Sequence, residues 1–349
     1  MKKTSLKILT LLILMFNFSL IYSQEPEKTV KETYKKIYFI LEDKNGLYQI
    51  GMMDINGENK KILTNKGNNW CPAVSPDGNK VTFYSDRSNY VNLFIMNTNG
   101  SQQTQITFDK ENINKIDLKN RGQISWNSDA EEIYFLRNNN ICKIDKNGNS
   151  QSYITKTNDV TSFKLSPDGK KWLFSREKTK FHNSLWTMNY DTSGLIQLTE
   201  SNIFNPVFDW GLNNKIVFLE NRGISRINYD GTNYQIILNI NNLNNEITWS
   251  KFDNNRAENN LIAYIYNDYN IYIMNENGKN IKQITKNFGE FPFWLDSQTL
   301  LFVENNDIFV ININNLKKHR LTYYFNAYYP IIAEITNINE LNESRNNNE

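Results

Sequence analysis

The chain has 349 residues, a net charge of +2, 22% charged and 13% aromatic residues, two histidines and two cysteines. That balance gives no electrostatic footprint for nucleic acid or for an anionic membrane surface. Two histidines more than 130 residues apart cannot build a histidine zinc centre.

In chain order, Lys2, Lys3 and Lys7 precede an apolar run from Ile8 to Leu20, and the small residue Ser23 stands before Gln24. This reads as a secretory signal peptide over 1–23, its run too short to span a bilayer. Without those lysines the charge is −1, and export to the periplasm or the outside of a bacterium is expected, with no stable membrane insertion after cleavage. Residues 24–34 are a charged lead-in, 35–334 the folded domain, and 335–349 a polar tail.

The domain opens with three strands, Lys36–Glu42, Leu47–Asp54 and Lys60–Thr64. The next unit is the most complete. Trp70 to Val74 leads into Ser75-Pro-Asp-Gly78, a turn with Pro presetting φ and Gly supplying the positive one. Val81 and Phe83, then Leu93 and Ile95, alternate as in strands with one face more buried. Asn97-Thr-Asn-Gly100 turns the chain again, and Gln105-Ile-Thr107 ends the unit.

This four-strand pattern recurs. Its ending appears at Thr64, Thr107, Thr155, Thr199, Leu238, Thr285 and Thr322, at a mean step of about 43 residues. The preceding turn recurs seven times as well, from Asp54-Ile-Asn-Gly57 through Asp145-Lys-Asn-Gly148 and Asp191-Thr-Ser-Gly194 to Asn312-Ile-Asn-Asn315. The pattern predicts an all-β, seven-bladed propeller, with six blades as the alternative count. The first unit lacks its innermost strand. Tyr328-Tyr-Pro-Ile-Ile-Ala333, with Pro placed as in Trp70-Cys-Pro72, is expected to supply it and close the ring.

Ser75-Pro-Asp-Gly78 and Ser166-Pro-Asp-Gly169, each followed by an apolar-aromatic strand, a Met-Asn strand end and a Leu/Ile-Thr ending, resemble the TolB-like propeller repeat. That repeat also builds the propellers of tricorn protease and of prolyl oligopeptidase-type peptidases. The resemblance spans about residues 35–333 and weakens in the last three blades. It implies an exported, monomeric, non-catalytic propeller that binds a protein or peptide in the cell envelope. TolB carries an α/β domain ahead of its propeller, and such peptidases carry a hydrolase domain. Neither is expected here, where sixteen residues follow Ala333.

The chemistry-bearing candidates are few. Cys71 and Cys142 could pair in an exported protein, but they fall on strands at different radii, so two thiols are the simpler expectation. No Gly-x-Ser-x-Gly elbow exists; Gly223-Ile-Ser-Arg-Ile227 fails at its last position. Asp145-Lys-Asn-Gly148 lacks the length and later Glu of a calcium loop, and Asp77 and Asp168 read as turn carboxylates. The connection Phe108–Arg121 is long and charged, as binding loops are. Aligning the blades on Pro72 puts Trp70, Arg121, Thr161, Phe204, Glu246, Glu290 and Tyr328 at the mouth of the central channel. This mixture of rings and both charge signs suits a peptide or a glycan. No metal or cofactor is expected. Two other readings stand beside peptide binding: a glycan- or peptide-processing enzyme using Glu246 and Glu290, and a structural or adhesion module.

Overall fold

The computed structural model describes residues 32–110, 124–179, 182–200, 207–211, 214–220, 223–240, 243–250, 260–266, 269–323 and 325–337. Within them every regular element is a strand, and the strands form seven four-stranded sheets. Signal peptide, most of the lead-in, most of the long loop and most of the tail lie outside the described residues.

The seven sheets are the blades of a β-propeller. Their innermost strands are Ala327–Asn337 in blade 1, then Asn69–Val74, Ile124–Trp126, Val160–Leu165, Phe208–Trp210, Leu243–Trp249 and Glu290–Trp294 in blades 2 to 7. In blades 2 to 7 the four strands follow in chain order. Blade 1 is ordered Ala327–Asn337, Glu32–Glu42, Tyr48–Asp54, Lys61–Ile62, so both ends of the described chain meet in one sheet.

The second and third strands bury both faces because blades pack face to face, while outermost strands such as Lys61–Ile62 stay exposed. Seven apolar clusters follow, each built by two successive blades. Trp70, Tyr84 and Leu93 of blade 2 meet Ile124, Trp126 and Phe135 of blade 3. Leu301, Val303 and Ile308 of blade 7 meet Ile37, Phe39 and Met53 of blade 1, which closes the ring. Seven interfaces for seven blades is the count that only a closed circle gives.

The recurring Thr has a specific task. The outermost strands are short, and just past six of them the Thr side chain replaces a ladder bond. The backbone N–H groups of Ile50, Leu93, Ile141, Leu185, Ile271 and Ile308 donate to Oγ1 of Thr64, Thr107, Thr155, Thr199, Thr285 and Thr322 at 2.8–2.9 Å. Several of these hydroxyls donate onward to the residue beginning the third strand: Thr107 to Asn92 Oδ1 (3.1 Å), Thr155 to Asn140 Oδ1 (3.3 Å), Thr322 to Asp307 Oδ1 (2.8 Å). The same oxygens also accept the next loop's N–H, from Asp109, Asn158 and Phe325. One latch thus holds strand end, strand start and the crossing to the next blade.

Blade 5 shows what replaces the latch. Leu238 stands where Thr would, and the outer strand runs on as Gln235–Asn239, pairing Ile224 with Leu238 and Gly223 with Asn239. Gly223 holds the place of the Asn or Asp. A Cβ there would lie 1.9 Å from the Leu238 carbonyl oxygen, so only glycine fits.

Two turns differ from the expected placement. In blade 4 the tight turn is Asn189-Tyr-Asp-Thr192, two residues earlier than Asp191–Gly194. Thr192 N–H donates to the Asn189 carbonyl, and Thr192 takes the left-handed slot at φ 72°. In blade 7 the turn runs one residue longer and Leu316, φ 58°, takes that slot. Cys71 and Cys142 form no disulfide; Cys142 is buried, which pushes its pKa up to about 12, and Cys71 is half-buried.

Candidate binding face at the channel mouth

Each innermost strand starts at one end of the channel, where the second-to-third strand hairpins and the crossings between blades also lie. The entrances are irregular. Pairing to the second strand slips between Trp70 and Ala73, Val160 and Ser162, Leu243 and Ile247, and Glu290 and Phe293. Such bulges add a residue and re-aim side chains. In three neighbouring blades a residue at the entrance is left-handed and precedes proline: Phe291-Pro292 in blade 7, Tyr329-Pro330 in blade 1, Cys71-Pro72 in blade 2, at φ 55°, 50° and 50°. A residue before proline is ordinarily extended, and φ above zero is unusual for a bulky side chain. The Phe291 and Tyr329 rings meet across the blade boundary with centroids 4.1 Å apart.

The expected mouth residues divide. Trp70 is 8% exposed; its ring belongs to the core between blades 2 and 3, and its indole N–H finds no acceptor among the described residues. Thr161 Oγ1 shares a hydrogen bond with Ser175 Oγ (2.7 Å) and donates to Asn183 Oδ1 (3.0 Å), a bridge inside blade 4. Glu246 Oε2 accepts the Phe291 backbone N–H at 2.5 Å, so blade 6 props the bulge of blade 7. Glu290 and Tyr328 are half-buried at their strand starts. Burial raises the Tyr328 phenol, and the nearby Glu42, Tyr48 and Glu290 raise it further, which places four polar side chains around blades 7 and 1. Arg121 and Phe204 lie outside the described residues.

Residue reading missed the rings in the crossings. Phe108, Tyr323 and Phe288 are 73%, 60% and 56% exposed, and they stand one, one and three residues after the latch threonines Thr107, Thr322 and Thr285. The signal was an aromatic just beyond a Thr that turns into the next blade. Gly289, behind Phe288, leaves no room for a Cβ, which would lie 2.9 Å from the Ile271 side chain.

Deeper in the channel, Asp209 joins three blades. Its Oδ1 takes Lys164 Nζ of blade 4 at 2.8 Å, and its Oδ2 takes the Trp249 N–H of blade 6 at 2.9 Å. His182 and His319 are exposed on separate strands, and no group of three or more potential metal-binding side chains occurs among the described residues. Asp77 and Asp168 accept from Ser75 and Ser166 hydroxyls at 2.5 Å, as turn residues do.

The chain belongs to the TolB β-propeller domain family, whose model matches residues 33–214, just over half of it. No curated protein sequence matches. Among solved structures it is similar to TolB from Acinetobacter baumannii, with TM-score 0.54 and 16% identity over 85% of this chain and 66% of that one. It is also similar to an oligogalacturonate lyase in complex with manganese, with TM-score 0.53 and 14% identity over 83% of this chain and 85% of that one. A puromycin hydrolase mutant complexed with PGG gives TM-score 0.59 and 9% identity over 82% of this chain and 52% of that one. At such identities the likeness is one of fold. The chain spans slightly under two thirds of the TolB structure's length. No helix among the described residues is long and apolar enough to cross a membrane.

Proposed function

We propose that this protein is an exported, non-catalytic propeller that holds a segment of a partner polypeptide at its channel mouth. The observation that carries the reading is the left-handed aromatic-Pro entrance of blades 7 and 1. There Phe291 and Tyr329 are held left-handed, ring against ring, and Glu246 of blade 6 fixes the Phe291 amide. Backbone strain held by bulky residues at the end of a channel is a mark of binding sites. Membership of the TolB family supports a protein partner over a small substrate.

The test is a photo-crosslinking aromatic residue in place of Tyr329, with one in place of Lys170 on the opposite end as control. In envelope extract of the source cells, the Tyr329 position is expected to trap a discrete partner that the Lys170 position does not. Equal trapping from both ends, or from neither, would sink the reading. The enzyme alternative rests on Glu246 and Glu290 as an acid pair. It predicts that Glu246→Gln and Glu290→Gln abolish turnover of a glycan or peptide, and any such turnover lost in both variants would favour it.

A further inference from the structure

The mouth face is not uniform around the ring. Among the described residues, Tyr90, Phe108, Tyr269, Phe288 and Tyr323 are exposed aromatics on blades 6, 7, 1 and 2 or on the crossings that follow them, and blade 3 adds Tyr153, whose hydroxyl accepts from Asn138. Tyr269 and Phe288 are in contact, with centroids 6.0 Å apart. All four described aromatics with left-handed backbone, Tyr269, Phe288, Phe291 and Tyr329, fall in this same sector. Across the ring, blades 3 and 4 show Asn138, Asn139, Thr157, Asn158 and Lys178 at the equivalent places. Exposed rings gathered on four successive blades make a docking surface rather than scattered apolar residues.

Charge says what covers it. Glu42 and Glu290 stand inside the arc, beside Tyr328 and Tyr48. Their carboxylates have no cation and no hydrogen-bond donor among the described residues, whereas other carboxylates near this face, Asp159, Glu304 and Asp307, are paired with Arg176, Lys318 and Arg320. Carboxylates among ring faces attract ammonium and guanidinium groups twice, by charge and through the ring quadrupole. Electrostatic complementarity of this kind selects the partner more than it adds affinity.

We infer that the arc over blades 6, 7, 1 and 2 takes an extended, lysine- or arginine-bearing segment of a partner polypeptide, its cations between Glu42 and Glu290 and its apolar residues against Phe288 and Tyr323. This rests on the reading of the mouth as a polypeptide site and adds its sign of charge and its position off the ring axis.

The probes are three fluorescent decapeptides, alternating leucine with lysine, serine or glutamate, titrated by anisotropy into the full chain. The lysine peptide is expected to bind about tenfold more tightly than the serine peptide, with the preference shrinking as salt rises. Glu42→Gln with Glu290→Gln is expected to remove most of that preference. Phe288→Asn with Tyr323→Ala weakens all binding; asparagine suits the left-handed backbone of residue 288, and an unchanged unfolding midpoint certifies the fold. Asn139→Ala with Thr157→Ala changes nothing. A serine or glutamate peptide that binds as well as the lysine peptide overturns the charge assignment and leaves polypeptide binding at the mouth standing. Binding untouched by both mouth variants, or no binding of any peptide, overturns the arc as the site, while the crosslinking at Tyr329 still judges the mouth by itself. Self-association abolished by Phe288→Asn overturns the inference by giving the arc to a second copy of the chain.

Discussion

At the scale of single residues, one hydroxyl repeated six times does more than the turn motifs to define a blade. Thr107 is 2% exposed, accepts the Leu93 amide and donates to Asn92. Thr107→Val keeps the shape and leaves the amide unpaired, which should cost about 1–3 kcal/mol in a denaturant titration, while Thr107→Ser should cost less than half of that. Asp209 is the other residue whose loss is felt widely. Asp209→Ala strands the Trp249 amide and the Lys164 ammonium, but Lys164 is a quarter exposed and can reach water. The expected loss is about 2–3 kcal/mol, below the usual range for a fully buried pair. The latch was legible in the sequence as a marker, though not as a hydrogen bond. The mouth was legible only in part. Aligning on Pro72 picks the residue two before each proline, whereas the left-handed backbone falls on the residue directly before it. That alignment names Glu290 and Tyr328 and passes over Phe291 and Tyr329, although the repeated aromatic-Pro pairs were plain to see.

At the scale of elements, the hairpin turns before the outer strands show how much the repeat tolerates. Most place Gly in the left-handed slot, and blade 4 places Thr192 there. A β-branched residue at φ 72° is strained, so Thr192→Gly should stabilise the protein by up to about 1 kcal/mol, read as a rise in unfolding midpoint. The sequence alone hid this turn because Gly194, two residues on, offered a false match. In the same turns, Asp191 is held below the usual carboxylate range by the Ser193 hydroxyl and amide, and Asp230 likewise by Thr232. A folded-state value below the unfolded one gives stability that is complete above the ordinary carboxylate value of about 4 and is lost as pH falls through it. Asn56 and Asn99 make the same amide contact without a charge. Asp191→Asn with Asp230→Asn should therefore flatten the acid side of a melting-temperature profile below about pH 4 and leave neutral pH nearly unchanged.

At the scale of the whole molecule, the fold was almost entirely readable, because seven similar units leave one way to bury fourteen sheet faces. The count, the short outer strands and the C-terminal partner of the first three strands all followed from spacing. Tyr328–Ala333 lies within the innermost strand of blade 1, beside Glu32–Glu42. Removing residues from Ala327 onward should therefore open the interfaces to blades 7 and 2 together. The expected outcome is loss of a single cooperative unfolding transition by calorimetry, rather than a modest shift of it. What spacing could not show is the aromatic arc. The repeat describes what blades share, and the exposed rings of the arc stand outside the repeated positions.

In blades 2 to 7 the first two strands are covalently joined by turns such as Ser75–Gly78, and in blade 1 those two strands are instead the opposite extremities of the described chain. The polymer is thus a circle with one link left out, and the position of the missing link is arbitrary as far as packing is concerned. Splicing Asn337 to Glu32 through a Ser-Pro-Asp-Gly linker and reopening the backbone at Gly169, where even an added Cβ would meet nothing within 4 Å, should yield a permuted chain with the parent's circular dichroism.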